Sequence, residues 1–388
     1  MKFLKNQISV SYFIQVLLYL FVNILFILKY FPRAGADSPL IIILYIILLL
    51  AGIFLYNNFS RKISEQSFKI AFWTTLIIMI SFIIVLLIKI DPYAVRVDRW
   101  SAVTFFWDAL FNGNYPYGIH THVSENNFPS PFPVWHFINI PFYLFGDVGI
   151  GLIFFLILSA ITTQYFFSSY RKSFLFLCLL CVSPAYWWEV AVRSDSLSNV
   201  FLIYACILWW FKKNKTIEHN FLFAIIACGL LASTRLSAII PIALFLFKPY
   251  LELDWKRKIV FPIGVLIVIV LTFAPFIFWD TTEWVFFNRN PFMSQSSIGS
   301  PILLLLMVVL GIFIAFRWKD MNQFFNIVSI FIFIFIFSSQ LNLILTRGIN
   351  GTIFSDSLYD ISYFSLCLPY CIAFLTKKTD YIKTLNVK

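Results

Sequence analysis

The chain has 388 residues, of which 61% are hydrophobic and only 12% charged, with a mean hydropathy of +0.86. A soluble domain carries about 25% charged residues and cannot cover so much apolar surface, and disorder requires the opposite composition. Six cysteines in 388 residues exclude a disulfide scaffold, which leaves an all-α polytopic membrane protein, because β-barrel strands alternate in polarity and these apolar runs do not.

Apolar runs of about 17–25 residues match a bilayer core about 30 Å thick. Twelve spans are expected within a single transmembrane domain, residues 1–388: 10–28, 39–57, 70–90, 147–167, 173–190, 197–211, 220–235, 236–250, 259–279, 300–316, 323–345 and 358–376. The first is read as a retained span although Ala34-Gly35-Ala36 resembles a signal-peptidase site, because its run is longer than the usual h-region. The seventh and eighth have no polar linker and form a tight hairpin turning at Ser233, Thr234 and Arg235.

One further apolar stretch, 131–146, carries three prolines and a histidine. If it stays on one side, the loops after it place fifteen Lys and Arg on one face and only Arg193, Arg235, Arg289 and Arg347 on the other. Lys and Arg collect on the cytoplasmic side. The stretch is therefore expected to lie at the outer interface, with both termini cytoplasmic. Orientation also accounts for the net charge of +11 better than nucleic acid does, and no nucleic-acid partner is expected. The cysteines fall inside the spans, where packing explains them. The sequons at Asn58, Asn214 and Asn350 are weak three-residue matches.

In this topology the outer face holds seven Arg, two Lys and twelve of the eighteen acids. Arg there opposes the orientation tendency. Its rigid fork of donors matches phosphate oxygens, so a lipid-phosphate ligand is one expectation and ordinary Arg–Asp ion pairs are the other. The longest outer segment, 91–146, is the expected catalytic loop. Asp91-Pro92 reads as a helix start, and Asp98 as the cap of an amphipathic interfacial helix over 99–112. That helix has an apolar stripe at Trp100, Val103, Trp107, Leu110 and Phe111. Its polar stripe is Ser101, Thr104, Asp108 and Asn112. A second interfacial helix is expected over 131–146, with His136, Asn139 and Tyr143 on one side. His120, His122 and Glu125 form a weak candidate site for a divalent metal; no cofactor is otherwise required. No span carries an ionisable residue near its middle, where transporters tend to place one.

Val97-Asp98-Arg99-Trp100, the run Ala109-Leu110-Phe111-Asn112-Gly113-Asn114-Tyr115-Pro116-Tyr117, Phe145-Gly146 and Arg193-Ser194-Asp195 together resemble the GT-C superfamily of integral-membrane glycosyltransferases. The closest likeness is to bacterial polyprenol-phosphate-mannose-dependent mannosyltransferases, and it covers roughly residues 70–250. The resemblance implies an inverting transfer of a sugar, here a mannose-like hexose, from a polyprenyl-phosphate donor to a glycan or glycolipid acceptor on the outer face of a bacterial inner membrane. It implies Asp98 as general base, with Asp91 in reserve. Arg96, Arg99, Arg193, Asp195, Arg235, Arg289, Arg347, His120, His122 and Tyr117 are the candidate substrate-binding residues. The alternatives are an O-antigen or capsule polymerase or ligase, which usually carries its Arg in large late loops, and a lipid or glycan transporter.

Overall fold

In a computed structural model of the chain, residues 10–32, 35, 37–296, 300–355 and 361–378 are described. Among them the secondary structure is helical. The chain begins with three long helices, α1 (Val10–Tyr30), α2 (Ser38–Phe59) and α3 (Glu65–Lys89). The expected catalytic loop holds α4 (Arg99–Phe111) and α5 (Pro133–Leu144). There follow α6 (Ile150–Phe167), α7 (Tyr170–Cys181), α8 (Pro184–Ala191), α9 (Asp195–Lys212), α10 (Phe221–Ala232), α11 (Ile239–Leu251) and α12 (Trp255–Ile277). The short α13 (Val285–Asn288) and α14 (Pro291–Ser296) precede α15 (Pro301–Ala315), α16 (Met321–Arg347) and α17 (Leu368–Lys378).

Within the described residues each expected span falls on a helix or helix pair, but six helices are long and apolar enough to cross a membrane alone: α1, α2, α3, α6, α12 and α16. The expected span 173–190 is instead two helices, α7 and α8, bent by 67°. Ser183 and Pro184 sit at the break, where proline cannot donate to the preceding turn. Helices α10, α15 and the segment Leu236–Leu251 are shorter, at 12, 15 and 16 residues. At 1.5 Å per residue these extend about 18–24 Å, less than the hydrocarbon thickness. The twelve-span expectation thus resolves into an integral membrane protein with six full-length apolar helices and several shorter ones.

The chain divides into two compact units. The first comprises Met1–Phe82, Ile157–Glu189 and Arg317–Lys388. Its core is α1, α7, α16 and α17, sealed by buried polar contacts of the kind that join helices in lipid. Gln15 Nε2 donates to Ser329 Oγ at 2.7 Å, and the Tyr19 hydroxyl donates to the Leu179 carbonyl at 2.6 Å. Asn23 Oδ1 accepts from Ser183 Oγ at 2.5 Å and from the Ala185 amide at 3.2 Å, so α1 caps the start of α8 across the break.

The second unit comprises Ile83–Leu156 and Val190–Phe316. Helices α10 and α12 meet closely at Gly229, where an added Cβ would stand 2.5 Å from Val268 Cβ. The hairpin between α10 and α11 turns at Ser233–Arg235 as expected and is pinned to the start of α5. The Phe132 and Val134 amides donate to the Thr234 and Ser233 carbonyls at 3.0 and 3.1 Å. Helix α4 is not a surface amphipath. Ser101, assigned above to its polar stripe, is fully buried, as are Val103 and Phe106, and Phe111 from the apolar stripe is 60% exposed. The reason is tertiary: α4 packs against both α5 and α9, so most of its circumference meets protein. Asp108, from the same polar stripe, accepts the Tyr143 hydroxyl at 2.7 Å and ties α4 to α5.

Candidate functional site

Three irregular junctions in the second unit converge: the turn before α4, the turn between α8 and α9, and the α10–α11 hairpin. They supply Asp98 and Arg99, Ser194 and Asp195, and Arg235. Arg99 is buried and its Nη1 donates to Ser194 Oγ at 2.6 Å. Asp195 Oδ2 accepts from Arg235 Nε at 2.9 Å and also from Nη2. Both members of this pair are buried, and Asp195 Oδ1 has no hydrogen-bond partner among the described residues.

Asp98 lies beside this pair. It occupies the N-cap position of α4, but its side chain makes no capping bond there. Its backbone carbonyl is held instead, by the Ala102 amide at 2.8 Å and Ser101 Oγ at 3.1 Å. The residue is half-buried and its carboxyl is surrounded by protein. Burial lifts its pKa above the ordinary carboxylate range. Arg99 and Arg235 oppose the lift and Asp195 adds to it, so all four groups share one field.

His136, which the sequence places on one side of the 131–146 segment without a role, belongs to the same field. It is fully buried on α5, its ring stacked 3.6 Å from that of Phe106. Nε2 faces the Pro131 carbonyl at 3.1 Å, which assigns the proton to that nitrogen. Nδ1 is then a bare acceptor with no partner among the described residues. Burial, with the Arg235 charge adding to it, holds the imidazole well below its ordinary pKa. The imidazole is therefore neutral. A proline-spaced aromatic helix hides such a residue, because the same pattern reads equally as packing.

Other sequence-based candidates take different positions. Arg193 is buried and points away from phosphate chemistry. Its Nε donates to Asp147 Oδ2 at 2.8 Å, and its terminal nitrogens donate to the Leu87 and Ile90 carbonyls at 2.7 and 3.0 Å. These carbonyls lie at the end of α3, where the helix leaves them without internal partners. Arg193 adopts φ +50° to reach them, and its side chain passes over Gly149, where a Cβ would meet Arg193 Cγ at 2.9 Å. It is a structural clamp. Tyr117 is likewise a core residue, 1% exposed, with its hydroxyl donating to the Pro131 carbonyl.

His120, His122 and Glu125 do not assemble a metal site, and no such group of ligands occurs among the described residues. The His122 ring contacts Ser101 Oγ at 2.6 Å and the Val95 carbonyl at 3.0 Å, so it braces the segment leading to Asp98. His120 rests 4.9 Å from the Phe128 ring, and Glu125 is exposed. Asp91 and Arg96 are exposed, and Asp91 accepts from the Tyr93 amide at 3.0 Å, starting a short 3-10 turn. Arg289 is exposed, its guanidinium 4.1 Å above the Phe128 ring. Arg347 is exposed at the end of α16, in the first unit. Asp356 and Asp360, which border the last expected outer loop, lie outside the described residues.

The cluster that remains is Asp98, Arg99, Asp195, Arg235 and His136, with Ser194 and Ser101 as supports. It combines a carboxylate of raised pKa, two buried guanidinium groups and a neutral imidazole. Such a set suits accepting a proton while stabilising a developing anion. No family model matches the chain, and neither any curated protein nor any solved structure compared with it does.

Proposed function

We propose that this chain is an inverting glycosyltransferase of the GT-C type, transferring a sugar from a polyprenyl-phosphate donor to a glycan or glycolipid acceptor at the outer face of a bacterial inner membrane. The observation that carries the reading is Asp98, a carboxyl of raised pKa beside two buried Arg. In the reaction an acceptor hydroxyl oxygen attacks the anomeric carbon from the side opposite the phosphate. The new C–O bond forms as the sugar–phosphate C–O bond breaks, and the hydroxyl proton passes to Asp98. A raised pKa brings the base closer to the operating pH. Arg99 and Arg235, fixed and partly desolvated, stabilise the lipid phosphate as it leaves. The sequence patterns around Asp98 and Arg193-Ser194-Asp195, quoted above, support the same reading independently of the geometry.

The test compares surface glycans and lipid-linked sugars in a deletion strain and its parent. Truncated glycans with accumulated polyprenyl-phosphate sugar would support transfer. A complete lipid-linked unit left unpolymerised would favour a polymerase or ligase.

A further inference from the structure

A groove of about 390 Å³ runs along the first unit between α2, α3 and α7. Its lining is apolar from Leu48 on α2 through to Val182 beyond α7, except at one end. Leu48, Leu55 and Phe59 on its rim are 70%, 54% and 47% exposed, so the groove opens sideways from the unit. Gly52 faces into it: a Cβ built there meets no atom within 4 Å. From Leu48 to Ser60 the groove follows about 18 Å of helix, close to the depth of one leaflet of a ~30 Å hydrocarbon core.

The polar end is formed by Tyr56 and Ser60, one helical turn apart. Cations gather around them. Arg61 and Lys62 follow directly, and Lys62 Nζ lies 5.6 Å from the ring of the lining residue Phe59. The Tyr56 hydroxyl donates to the Arg171 carbonyl at 3.1 Å, which brings the segment of Arg171 and Lys172 to the same end. Lys69 stands over the Tyr170 ring at 5.9 Å. Residues 60–69 and 169–172, which supply these five cations, contain one acid, Glu65, whose oxygens accept from Ser169 Oγ and the Arg171 amide at 2.7 and 3.1 Å.

We propose that this groove binds an anionic phospholipid of the surrounding bilayer, one acyl chain along α2 and the headgroup phosphate among the cations at its polar end. An apolar channel of one leaflet's depth selects a hydrocarbon chain. The excess of Lys and Arg at its mouth selects a negative headgroup over a zwitterionic one. All of the groove's residues belong to the first unit, so the proposal does not rest on the transferase reading.

The full chain is extracted from vesicles of equal phosphatidylglycerol and phosphatidylcholine, and the retained lipid is measured by native mass spectrometry. Wild type should retain phosphatidylglycerol at least fivefold over phosphatidylcholine. Gly52→Leu fills the channel with a better helix former, and it should abolish that retention while melting as wild type does. Arg61→Gln with Lys62→Gln, on an exposed turn, should keep one lipid bound but bring the two headgroups to within twofold. Equal retention of both lipids by wild type, undiminished retention in Gly52→Leu, or an intact preference in the double Gln variant would each overturn the proposal.

Discussion

Asp98 carries its own liability, since burial disfavours the charge that the proposed chemistry needs. Asp98→Asn should reduce transfer by about 10²–10⁴ while stabilising the fold. The sign follows from the raised pKa: the folded state holds the Asp98 proton more tightly than the unfolded chain does. Wild type therefore loses stability relative to Asn as pH rises from about 4, the unfolded value, through the folded pKa, and the gap is constant above it. Melting temperatures of the two proteins between pH 4 and 8 check this, and superimposed curves would contradict it. Arg235 makes a second case. Removing it alone leaves Asp195 charged and buried, at a cost of about 3–5 kcal/mol, whereas replacing both members with apolar residues is far milder. Arg235→Met should thus melt early, and Asp195→Leu with Arg235→Met should melt near wild type yet remain inactive. Arg193→Ala should destabilise by roughly 1.5–3 kcal/mol through its lost charge-assisted bonds, with donor KM unchanged in the protein that folds. Residue type and the family resemblance nominate Asp98, Arg99, Asp195 and Arg235 together with Arg193. They do not separate Arg193 from Arg235, because the difference lies in which way a turn with φ +50° aims a side chain. Nor do they reveal His136, whose bare Nδ1 exists only because Pro131 occupies the other nitrogen.

At the scale of elements, breaks carry more information than runs. Hydropathy locates α7 and α8 as one apolar stretch, since averaging over a window is blind to direction. At the 67° bend, α1 offers Asn23 to the buried start of α8. Asn23→Ala leaves the Ala185 amide and the Ser183 hydroxyl without their acceptor. This should cost about 1–3 kcal/mol, read as a fall in melting temperature, and Asn23→Asp should recover most of it because it keeps the acceptor. Helix α4 teaches the complementary lesson. Its alternation of apolar and polar stripes is real in the sequence, yet Ser101 is buried because His122 meets it from a loop twenty-one residues away. Periodicity reports which residues share a face. What covers that face is decided by other elements. Helix α10 stops short of the expected span 220–235 because the backbone turns at Ser233–Arg235, while α15 covers all but one residue at each end of the expected 300–316.

For the whole molecule, the proposed function depends on sidedness. The charge distribution places fifteen Lys and Arg on one face of the later loops and four on the other only if 131–146 does not cross. Within that stretch α5 is 12 residues long and carries Pro141. Length alone does not separate it from α10, which also has 12 residues, but Pro141 interrupts α5 and its start is bonded to the Ser233–Thr234 turn rather than continuing a span. Both observations favour a segment that returns to the face it came from. The expected outcome can be measured by labelling. With the six native cysteines replaced, a cysteine at exposed Asn114 should react with an impermeant thiol reagent applied to intact cells. One at half-buried Asn322 should react only after the membrane is opened. The two positions lie on opposite sides when the number of crossings between them is odd. A crossing α5 would change that parity and put both on the same side. Labelling of Asn322 from outside together with Asn114 would therefore show that α5 spans the bilayer. It would also move every cation after residue 146 to the other face and place Asp195 and Arg235 on the side opposite the Asp98 loop, whereas the three residues lie beside one another in the second unit.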